Sequence, residues 1–572
     1  MGDSGPIYVF RVAGPRRCPY GNHHGGHNNF SVLVRKRDLL YCCNSSECQG
    51  VRPLLKIGEL TRSEAVTGGE TQAFSADDVS AINVLHKRFV DAWAFEGDVG
   101  GSKIVAEMYA SCGRLRFDGE SWWYWNGRRF VRDEKSGFYV KNVLINQLRI
   151  VYRRVRDEWK ASIERNTNEK EQEALMEQLK RLRNYNNSRE MTSTMDLLRG
   201  ELVDLDFAQQ LDADPDILNV KNGVLLLRTG ELDVHRPQYF CSKIAETDFM
   251  GMEYPTPRMD AFIGDIFNHD AELVDYIRKL FGYALNGHTR EEVFVLLLGK
   301  GGNGKGALKE MLQAVAGDYY GTMSKDAVVT APGQRAPSKN APTNYLYELM
   351  GKRLAITDET AEGEQVDLGL VLAVTGGGSI KARCLHINNV EFVVTHTPFV
   401  QTNYPPVISA TAILDNVERR LRAIPFPNTY VRENALDPTN ATHRLRDDHL
   451  KARMKEEESR RQILTWLARG SVEWYASAEG LGSPPKAVKD ATDEYLREAD
   501  KLQLFIDQHC EVGEGLSTLQ AEFAACFRQY SSERISNEEL MRRMATKGFK
   551  RAKNNDSPRQ FYYPRIRCSY TT

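Results

Sequence analysis

A glycine-rich turn between an apolar run and a helix start carries the clearest chemistry in this sequence. The run Val293–Leu298 has the length and branching of a buried parallel strand. Backbone N–H groups that follow it can turn inward around an anion, and a lysine stands where the next helix would begin. The residues of this loop are Gly299, Gly301, Gly302, Asn303, Gly304, Lys305 and Gly306. The pattern G-x-x-x-x-G-K in this setting predicts a loop that binds the phosphates of ATP.

The position after the lysine departs from the motif. Gly306 stands where a Ser or Thr hydroxyl would normally ligate Mg²⁺. Because glycine has no side chain, that metal contact must come from a water or from an acidic residue elsewhere. This departure keeps open a second interpretation, in which the chain binds ATP but hydrolyses it weakly.

Two further motifs follow Lys305 at spacings that suit hydrolysis of a phosphoanhydride. Leu354–Glu359 is an apolar strand that ends in two acids. We predict that Asp358 holds Mg²⁺ and that Glu359 orients the attacking water. Asn403 ends a later apolar strand, and its amide is predicted to sense the γ-phosphate.

Four basic residues that follow the acidic pair are candidates for two other roles, an arginine finger and DNA contact. Arg419 and Arg420 are both candidates for an arginine finger that reaches the γ-phosphate bound by a neighbouring subunit. The alternative for this pair is a surface position beside the next strand. Between the acids and Asn403, Lys381 and Arg383 alternate as they would on one face of a strand, and we predict that they contact DNA.

The first fifty residues contain four of the ten cysteines, together with several histidines, around two short predicted strands at 30–34 and 39–41. Tetrahedral Zn²⁺ needs four nitrogen or sulfur ligands, and closely spaced pairs on tight turns supply them. The predicted ligands are Cys18, His24 or His27, Cys43 and Cys48, with His23 and Cys42 as spares. Which histidine binds is left open. Zinc would supply the folding free energy that so short a segment lacks.

Residues 516–567 predict two helices followed by a pair of strands, a pattern that fits a winged helix in the segment 501–572. A local basic patch lies within them, and such patches bind DNA phosphates without reading sequence. Its members in the predicted DNA-binding set are Arg542, Arg543, Lys550 and Arg551.

Composition limits the classes of protein to which this chain can belong. The 76 Lys and Arg residues balance 77 Asp and Glu residues, so contact with nucleic acid must come from local patches. The sequence has no apolar run long enough to span a membrane, and its first residues lack the apolar core of a signal peptide. We therefore expect an intracellular protein in a reducing compartment, with no membrane partner.

The ordered set of motifs resembles the superfamily 3 helicases, specifically the poxvirus-type and satellite-phage primase-helicases. The resemblance covers residues 81–570 and rests on Lys305, Asp358, Glu359, Thr375–Arg383, Asn403, Arg419 and Arg420. It implies an AAA+-like ring, usually a hexamer, that moves along single-stranded DNA with ATP bound between subunits. The family usually has an acid where this chain has Gly378, and it has a lysine before Thr375 that is absent here.

Two other segments resemble parts of related proteins. The phrase Leu218–Gly230, with the Trp-rich hairpin upstream, resembles the helper domain that precedes the motor in the same helicases. The N-terminal Cys and His segment is similar to the zinc module of archaeo-eukaryotic primases and herpesvirus-type primase subunits. Primase chemistry itself is not expected of this chain.

The sequence therefore predicts an α/β protein with an AAA+-like P-loop ATPase core. The expected units are a zinc ribbon at 1–52, a linker at 53–80, an α+β helper domain at 81–255, the ATPase core at 256–430, a helical connector at 431–500 and a winged helix at 501–572. The expected function is an ATP-dependent, ring-forming replicative helicase of a virus or mobile element. Its host compartment would be the cytoplasm or nucleus, if viral.

The expected cofactors are ATP, Mg²⁺ and Zn²⁺. The expected partners are single-stranded and forked DNA, further copies of the chain in a hexamer, and a separate primase or polymerase. Two alternatives remain open: a weakly catalytic ATP-binding loader or scaffold, and an accessory subunit of a primase.

Overall fold

The computed structural model describes the chain from residue 93 to residue 569, with gaps, and the backbone of six strands before residue 93. The gaps are 94–95, 111–112, 134–136, 142–144, 184, 187, 331–342, 358, 361–363, 384–389, 409–418, 532–534 and 555–559. Two compact units are formed, one from residues 1–108 and 145–194 and the other from 109–144 and 195–572.

The first unit begins with short antiparallel strands. They are β1 Ile7–Phe10, β2 Arg16–Arg17, β3 His23–His24, β4 Phe30–Arg35, β5 Asp38–Cys43 and β6 Leu55–Glu59. Strands β4 and β5 pair as a hairpin within the sheet β1-β4-β5-β6, which confirms the two predicted strands. The predicted zinc ligands Cys18, His27 and Cys48 lie outside the described residues. His24 and Cys43 lie on strands, but their side chains are not described, so the zinc site stays a prediction.

Charged helices complete the first unit. They are α1 Gly97–Ala110, α2 Ile145–Arg165, α3 Glu169–Arg181 and the start of α4 Ser188–Leu202. Helix α2 buries Leu148, Tyr152 and Val155. Helix α3 buries no residue and begins at an Asn168 cap that accepts from the Lys170 N–H, as expected for a solvated helix.

The second unit opens with the Trp-rich meander, β7 Leu115–Phe117, β8 Trp122–Trp125 and β9 Phe130–Asp133. Trp125, Phe130 and Phe207 form a small aromatic core, the last from the short helix α5 Phe207–Gln210. Edge-to-face packing explains the clustering, since ring edges favour the π-face of a neighbour. The aromatic residues of this hairpin thus serve mainly as core.

A three-stranded meander follows, with β10 Ile217–Val220, β11 Gly223–Leu226 and β12 Glu231–Asp233. Its buried leucines share one hydrophobic cluster with the parallel-sheet core, across the predicted boundary at 255. Arg353, which is 1% exposed, donates to the carbonyls of Pro215 at 2.9 Å and Asp214 at 3.0 Å. These bonds tie the segment before the meander to the amino end of a core strand.

Five parallel strands form the central sheet, in the order β14-β16-β20-β13-β21. The strands are β13 Phe294–Leu298, β14 Tyr320–Met323, β16 Leu354–Thr357, β20 Thr397–Thr402 and β21 Leu421–Pro425. Their near-continuous apolar sequence is that of strands covered on both faces. The α/β class with a parallel, P-loop-like core is therefore confirmed.

Helices cover this sheet. They are α6 Pro257–Ile266, α7 Ala271–Leu285, α8 Lys305–Ala316, α9 Asn344–Tyr347, α10 Leu368–Thr375, α11 Leu450–Met454, α12 Glu457–Ala476 and α13 Lys486–Ala499. Helices α7 and α12 meet backbone to backbone at Gly282 and Gly470. A Cβ on Gly282 would lie 2.2 Å from the Gly470 carbonyl carbon, so only glycine permits this approach.

Short strand pairs flank the core. They are β15 Val329–Thr330 with β17 Gln365–Val366, β18 Ser379–Ala382 with β19 Val390–Val393, and β22 Thr429–Val431 with β23 His443–Leu445.

The C-terminal segment has a core of its own. Its elements are α14 Lys501–His509, β24 Cys510–Leu519, α15 Gln520–Ser531, α16 Asn537–Thr546, β25 Ala552–Lys553 and β26 Phe561–Cys568. The two helices and the strand pair appear in the predicted order, and β24-β26-β25 form one sheet. The winged-helix assignment stays a prediction. In the described part of the chain, no helix is both long and apolar enough to cross a membrane.

Candidate nucleotide-binding site

The glycine-rich loop joins the end of β13 to the start of α8, so the predicted strand, turn and helix are confirmed. Three of its glycines adopt left-handed backbone angles: Gly301 at φ 83°, Gly302 at φ 59° and Gly304 at φ 92°. These angles are strained for residues with a Cβ, which explains the glycine content. The loop therefore wraps around the N-terminus of α8, where unpaired N–H groups attract an anion.

Two positions of the loop are crowded by neighbouring side chains, which a Cβ would displace. A Cβ on Gly299 would lie 1.8 Å from Asn303 Nδ2, and one on Gly304 would lie 2.9 Å from the side chain of Ile266. Asn303 is 4% exposed, and its Nδ2 has no hydrogen-bond partner in the protein. A buried amide donor without an acceptor is costly, so this group is suited to an anionic ligand of the loop.

Lys305 lies at the centre of the site, 1% exposed. Its Nζ donates to the Gly299 carbonyl at 2.6 Å and to Asn403 Oδ1 at 3.0 Å. Burial lowers the pKa of Lys305 to about 8, and the nearby Glu359 carboxylate opposes this shift. A bound phosphate would restore the favourable charged form.

Asn403 connects the lysine to the acidic strand. It follows β20, and its Nδ2 donates to Glu359 Oε1 at 2.8 Å. Glu359 follows β16 and is exposed. Because β16, β20 and β13 are parallel neighbours, their carboxyl ends meet at one edge and bring Lys305, Asn403 and Glu359 into one hydrogen-bonded chain. Asp358, the predicted metal ligand, lies outside the described residues.

Gly306 occupies the second residue of α8, and a Cβ there would meet no atom within 4 Å. Crowding therefore does not explain the missing hydroxyl. A serine or threonine side chain would have room at this position. Among the described residues, no group of three or more Cys, His, Asp or Glu side chains is arranged to hold a metal ion.

The two candidate finger arginines lie at the opposite edge of the sheet, just before β21. Arg420 is 8% exposed and is held by Glu292 Oε2 at 2.8 Å and by the Thr375 hydroxyl at 2.8 Å. Arg419 pairs with the same carboxylate at 3.0 Å, but its side chain is 60% exposed. A five-residue strand spans about 17 Å, so neither arginine lies beside the phosphate loop of its own chain.

The predicted DNA-contacting strand is β18, which pairs with β19. Lys381 is 76% exposed in its side chain and lies 3.5 Å from the Glu391 carboxylate. The Arg383 backbone exchanges hydrogen bonds with Thr343, since its N–H donates to the hydroxyl and its carbonyl accepts from the Thr343 N–H. The side chains of Lys381 and Arg383 are both exposed, while Ala382 between them is buried.

The C-terminal cations divide into two groups. Arg542 and Arg543 both pair with Glu539 on their own helix, so their charge is partly neutralised. Lys550 and Arg551 are exposed, and the Arg551 guanidinium lies 4.3 Å from the centre of the Phe561 ring. The exposed charge of the predicted patch therefore concentrates at the start of the final strand pair.

Sequence reasoning missed the residues that flank the loop on its other side. Strand β22 lies against it, with the Tyr430 N–H donating to the Gly302 carbonyl at 2.6 Å. Tyr430 lies within β22, and this aromatic residue is the sequence signal for the contact. Because Tyr430 is far from Gly302 along the chain, the sequence alone did not predict that the two are in contact.

Comparisons with known proteins find one matching family model and relatives that are named as putative helicases and primases. Residues 102–268 match the family model described as D5 N terminal like. "Putative helicase L207/L206" of Acanthamoeba polyphaga mimivirus is 25% identical over 310 residues, which are 54% of this chain and 32% of that protein. "Putative primase C962R" of African swine fever virus (isolate Tick/Malawi/Lil 20-1/1983) is 25% identical over 36% of this chain and 21% of that protein.

The chain spans about a third or less of the length of these two curated relatives. Among solved structures, the C-terminal region of NrS-1 (residues 305–718) aligns with 56% of this chain and 77% of its own. The TM-score is 0.33 at 10% identity, a level at which no shared fold is inferred. The chain is thus similar to named helicases and primases of large DNA viruses.

Proposed function

We propose that this chain is an ATP-dependent DNA helicase of the superfamily 3 type, encoded by a virus or mobile element and acting in DNA replication. The observation that carries the proposal is the hydrogen-bonded chain from Lys305 through Asn403 to Glu359. It joins a phosphate-binding cation, an amide sensor and a candidate base at the carboxyl edge of a parallel sheet. The names of the viral relatives support the same class.

The residues of the loop fit a nucleoside triphosphate. The left-handed glycines, the buried Lys305 charge and the unpartnered Asn303 amide all favour a polyanion. Glu359 accepts a hydrogen bond from Asn403, so its second oxygen is left to orient and deprotonate water. When γ-phosphate binds, we expect Lys305 to exchange Asn403 Oδ1 for a phosphate oxygen, which leaves Oδ1 to accept a hydrogen bond from the attacking water. Asn403 Nδ2, which donates to Glu359 in the free protein, is the group that can donate to a phosphate oxygen.

Mg²⁺ would neutralise charge on the phosphate oxygens when bound. We propose that Asp358 holds it, since Gly306 has no side-chain oxygen. Zinc at the N-terminus remains a separate proposal that rests on the Cys and His pattern alone.

An oligomer would complete the site. Arg419 is exposed at the sheet edge away from its own loop, so we propose that it acts on ATP held by a neighbouring subunit. Arg420 is anchored by Glu292 and Thr375, which suits a residue that positions this edge. A head-to-tail arrangement of this kind forms a ring when the rotation between subunits closes, and a hexamer is the ring we propose.

DNA contact is assigned to two surfaces. The β18–β19 hairpin presents Lys381 and Arg383 as exposed cations, and we propose that it grips single-stranded DNA in the ring. The C-terminal segment, as a winged helix, would add phosphate contacts from Lys550 and Arg551. A primase or polymerase on another chain is the proposed protein partner.

The decisive experiment is steady-state ATP hydrolysis by the full chain, with and without single-stranded DNA. We expect DNA to stimulate turnover, and we expect Lys305→Ala and Glu359→Gln to abolish it. Lys309→Ala, on the same helix, is the matched control and should retain activity. Glu359→Gln should still bind ATP, because its amide removes the base and leaves the loop intact.

One observation favours a second candidate. Gly306 removes the usual metal ligand, so the chain would act as an ATP-binding loader or scaffold if hydrolysis depends on that hydroxyl. Binding of ATP without turnover, in the presence of Mg²⁺ and DNA, would select this candidate over the helicase.

A further inference from the structure

The strand β22 brings an aromatic ring against the phosphate loop. The Tyr430 backbone bonds to Gly302, and its Cε2 lies 3.9 Å from the position of a Cβ on Gly304. The side chain is half-buried, so part of the ring remains accessible. Burial raises the pKa of Tyr430, with Asp265 adding to the shift and Arg444 opposing it, so the phenol is neutral at physiological pH.

A hydrogen-bond network holds the ribbon that carries this ring against the end of α6. Asn428, which is 1% exposed, donates from Nδ2 to the Asp265 carbonyl at 2.8 Å and to Asn268 Oδ1 at 2.8 Å. The Arg444 guanidinium donates to the same Asn268 oxygen at 3.1 Å. These bonds tie the end of α6 to both strands of the β22–β23 ribbon.

The turn after α6 is strained. Asn268 and His269 have φ values of 53° and 57°, which are uncommon for residues other than glycine. Two adjacent residues of this kind persist only where the surroundings fix them, and such strain concentrates at ligand sites. The Asn428 network supplies that restraint beside the phosphate loop.

Resting on the proposed function, we propose that Tyr430 and Arg444 form the nucleobase side of the ATP site. A flat ring against the phosphate loop, with the guanidinium of its partner residue on the paired strand, suits a planar aromatic base attached to a triphosphate. Stacking uses the π-face that every base has, so it does not read the base edge. The site therefore accepts nucleoside triphosphates in general, with little discrimination between ATP and GTP.

The test compares three ligands of the full chain by calorimetry: ATP, GTP and inorganic tripolyphosphate, which has no base. The unmodified protein is expected to bind ATP and GTP similarly, and both at least about tenfold more tightly than tripolyphosphate. Tyr430→Leu keeps apolar bulk without the aromatic ring, and it should lose most of that difference while binding tripolyphosphate normally. Tyr430→Phe should retain it.

Leu445→Ala is the matched control, since Leu445 lies on the same ribbon and is 57% exposed. Equal affinity for ATP and tripolyphosphate in the unmodified protein would overturn the base site while leaving the phosphate site intact. A strong preference for ATP over GTP would overturn the claim of base tolerance. ATP binding that survives Lys305→Ala would instead refute the proposed function, so the two failures are distinguishable.

Discussion

The pKa of Lys305 makes nucleotide affinity depend on pH in a calculable way. In the free protein this pKa is about 8, because the side chain is buried. A bound phosphate stabilises the charged form and raises the pKa again. Nucleotide binding therefore takes up a proton whenever the free protein has lost it, and affinity falls as the pH rises through 8.

The magnitude follows from the fraction of charged lysine. With a pKa of about 8, roughly 90% of the free protein carries the charge at pH 7 and roughly 10% at pH 9. Affinity for a non-hydrolysable ATP analogue should thus fall about tenfold from pH 7 to pH 9, which is about 1.4 kcal/mol. The terminal phosphate titrates near pH 6 and changes little over this range.

Isothermal titration calorimetry checks both the affinity and the proton. At pH 8, experiments in two buffers of different ionisation enthalpy should give an uptake of about half a proton. Lys305→Arg is the matched variant. A guanidinium stays charged from pH 7 to pH 9, so residue 305 no longer contributes to the pH dependence of the affinity. A parent protein whose affinity is constant from pH 7 to pH 9, or an equal slope in Lys305→Arg, would refute the reasoning.

Three other predictions follow from particular contacts. Gly306→Ser places a hydroxyl in open space and should raise Mg²⁺-dependent turnover severalfold; unchanged kinetics would show that water already serves the metal. Arg419→Ala and Lys305→Ala should each be inactive alone. An equal mixture of the two variants should recover about a quarter of parental ATPase activity, because a quarter of the head-to-tail interfaces combine an intact Lys305 with an intact Arg419. The absence of any recovery would exclude an arginine finger that acts in trans. Arg353→Met should lower the free energy of unfolding by about 2–4 kcal/mol, because two buried carbonyls lose their donor. Denaturant unfolding measures this free energy, and Lys352→Met is the control at the neighbouring position.

Several features of the site were readable from local sequence. The glycines between an apolar strand and a helix start predict a phosphate loop, because left-handed angles and helix N–H groups are properties of short segments. The acidic pair and Asn403 were predicted from apolar runs that end in polar residues. Parallel strands place such residues at one edge, so the grouping of Glu359 with Asn403 follows from pattern and topology together.

Other features needed the tertiary structure. Arg419 and Arg420 are adjacent and chemically identical in sequence, yet one is exposed and the other is anchored beside Thr375, because only packing determines which side chain turns inward. The same limit applies to the basic C-terminal patch. Glu539 neutralises some of its members through contacts that composition alone does not reveal.

The sequence by itself determined the glycine-rich loop between a strand and a helix, the parallel α/β core and the order of the motifs, since these depend on residue type and on spacing along the chain. Only the tertiary structure decided that Lys305 is buried with a lowered pKa, that Gly306 has open space, and that Tyr430 lies against the loop. Burial, free volume and contacts between distant segments are properties of the folded chain. They arise when strands far apart in sequence become neighbours in one sheet.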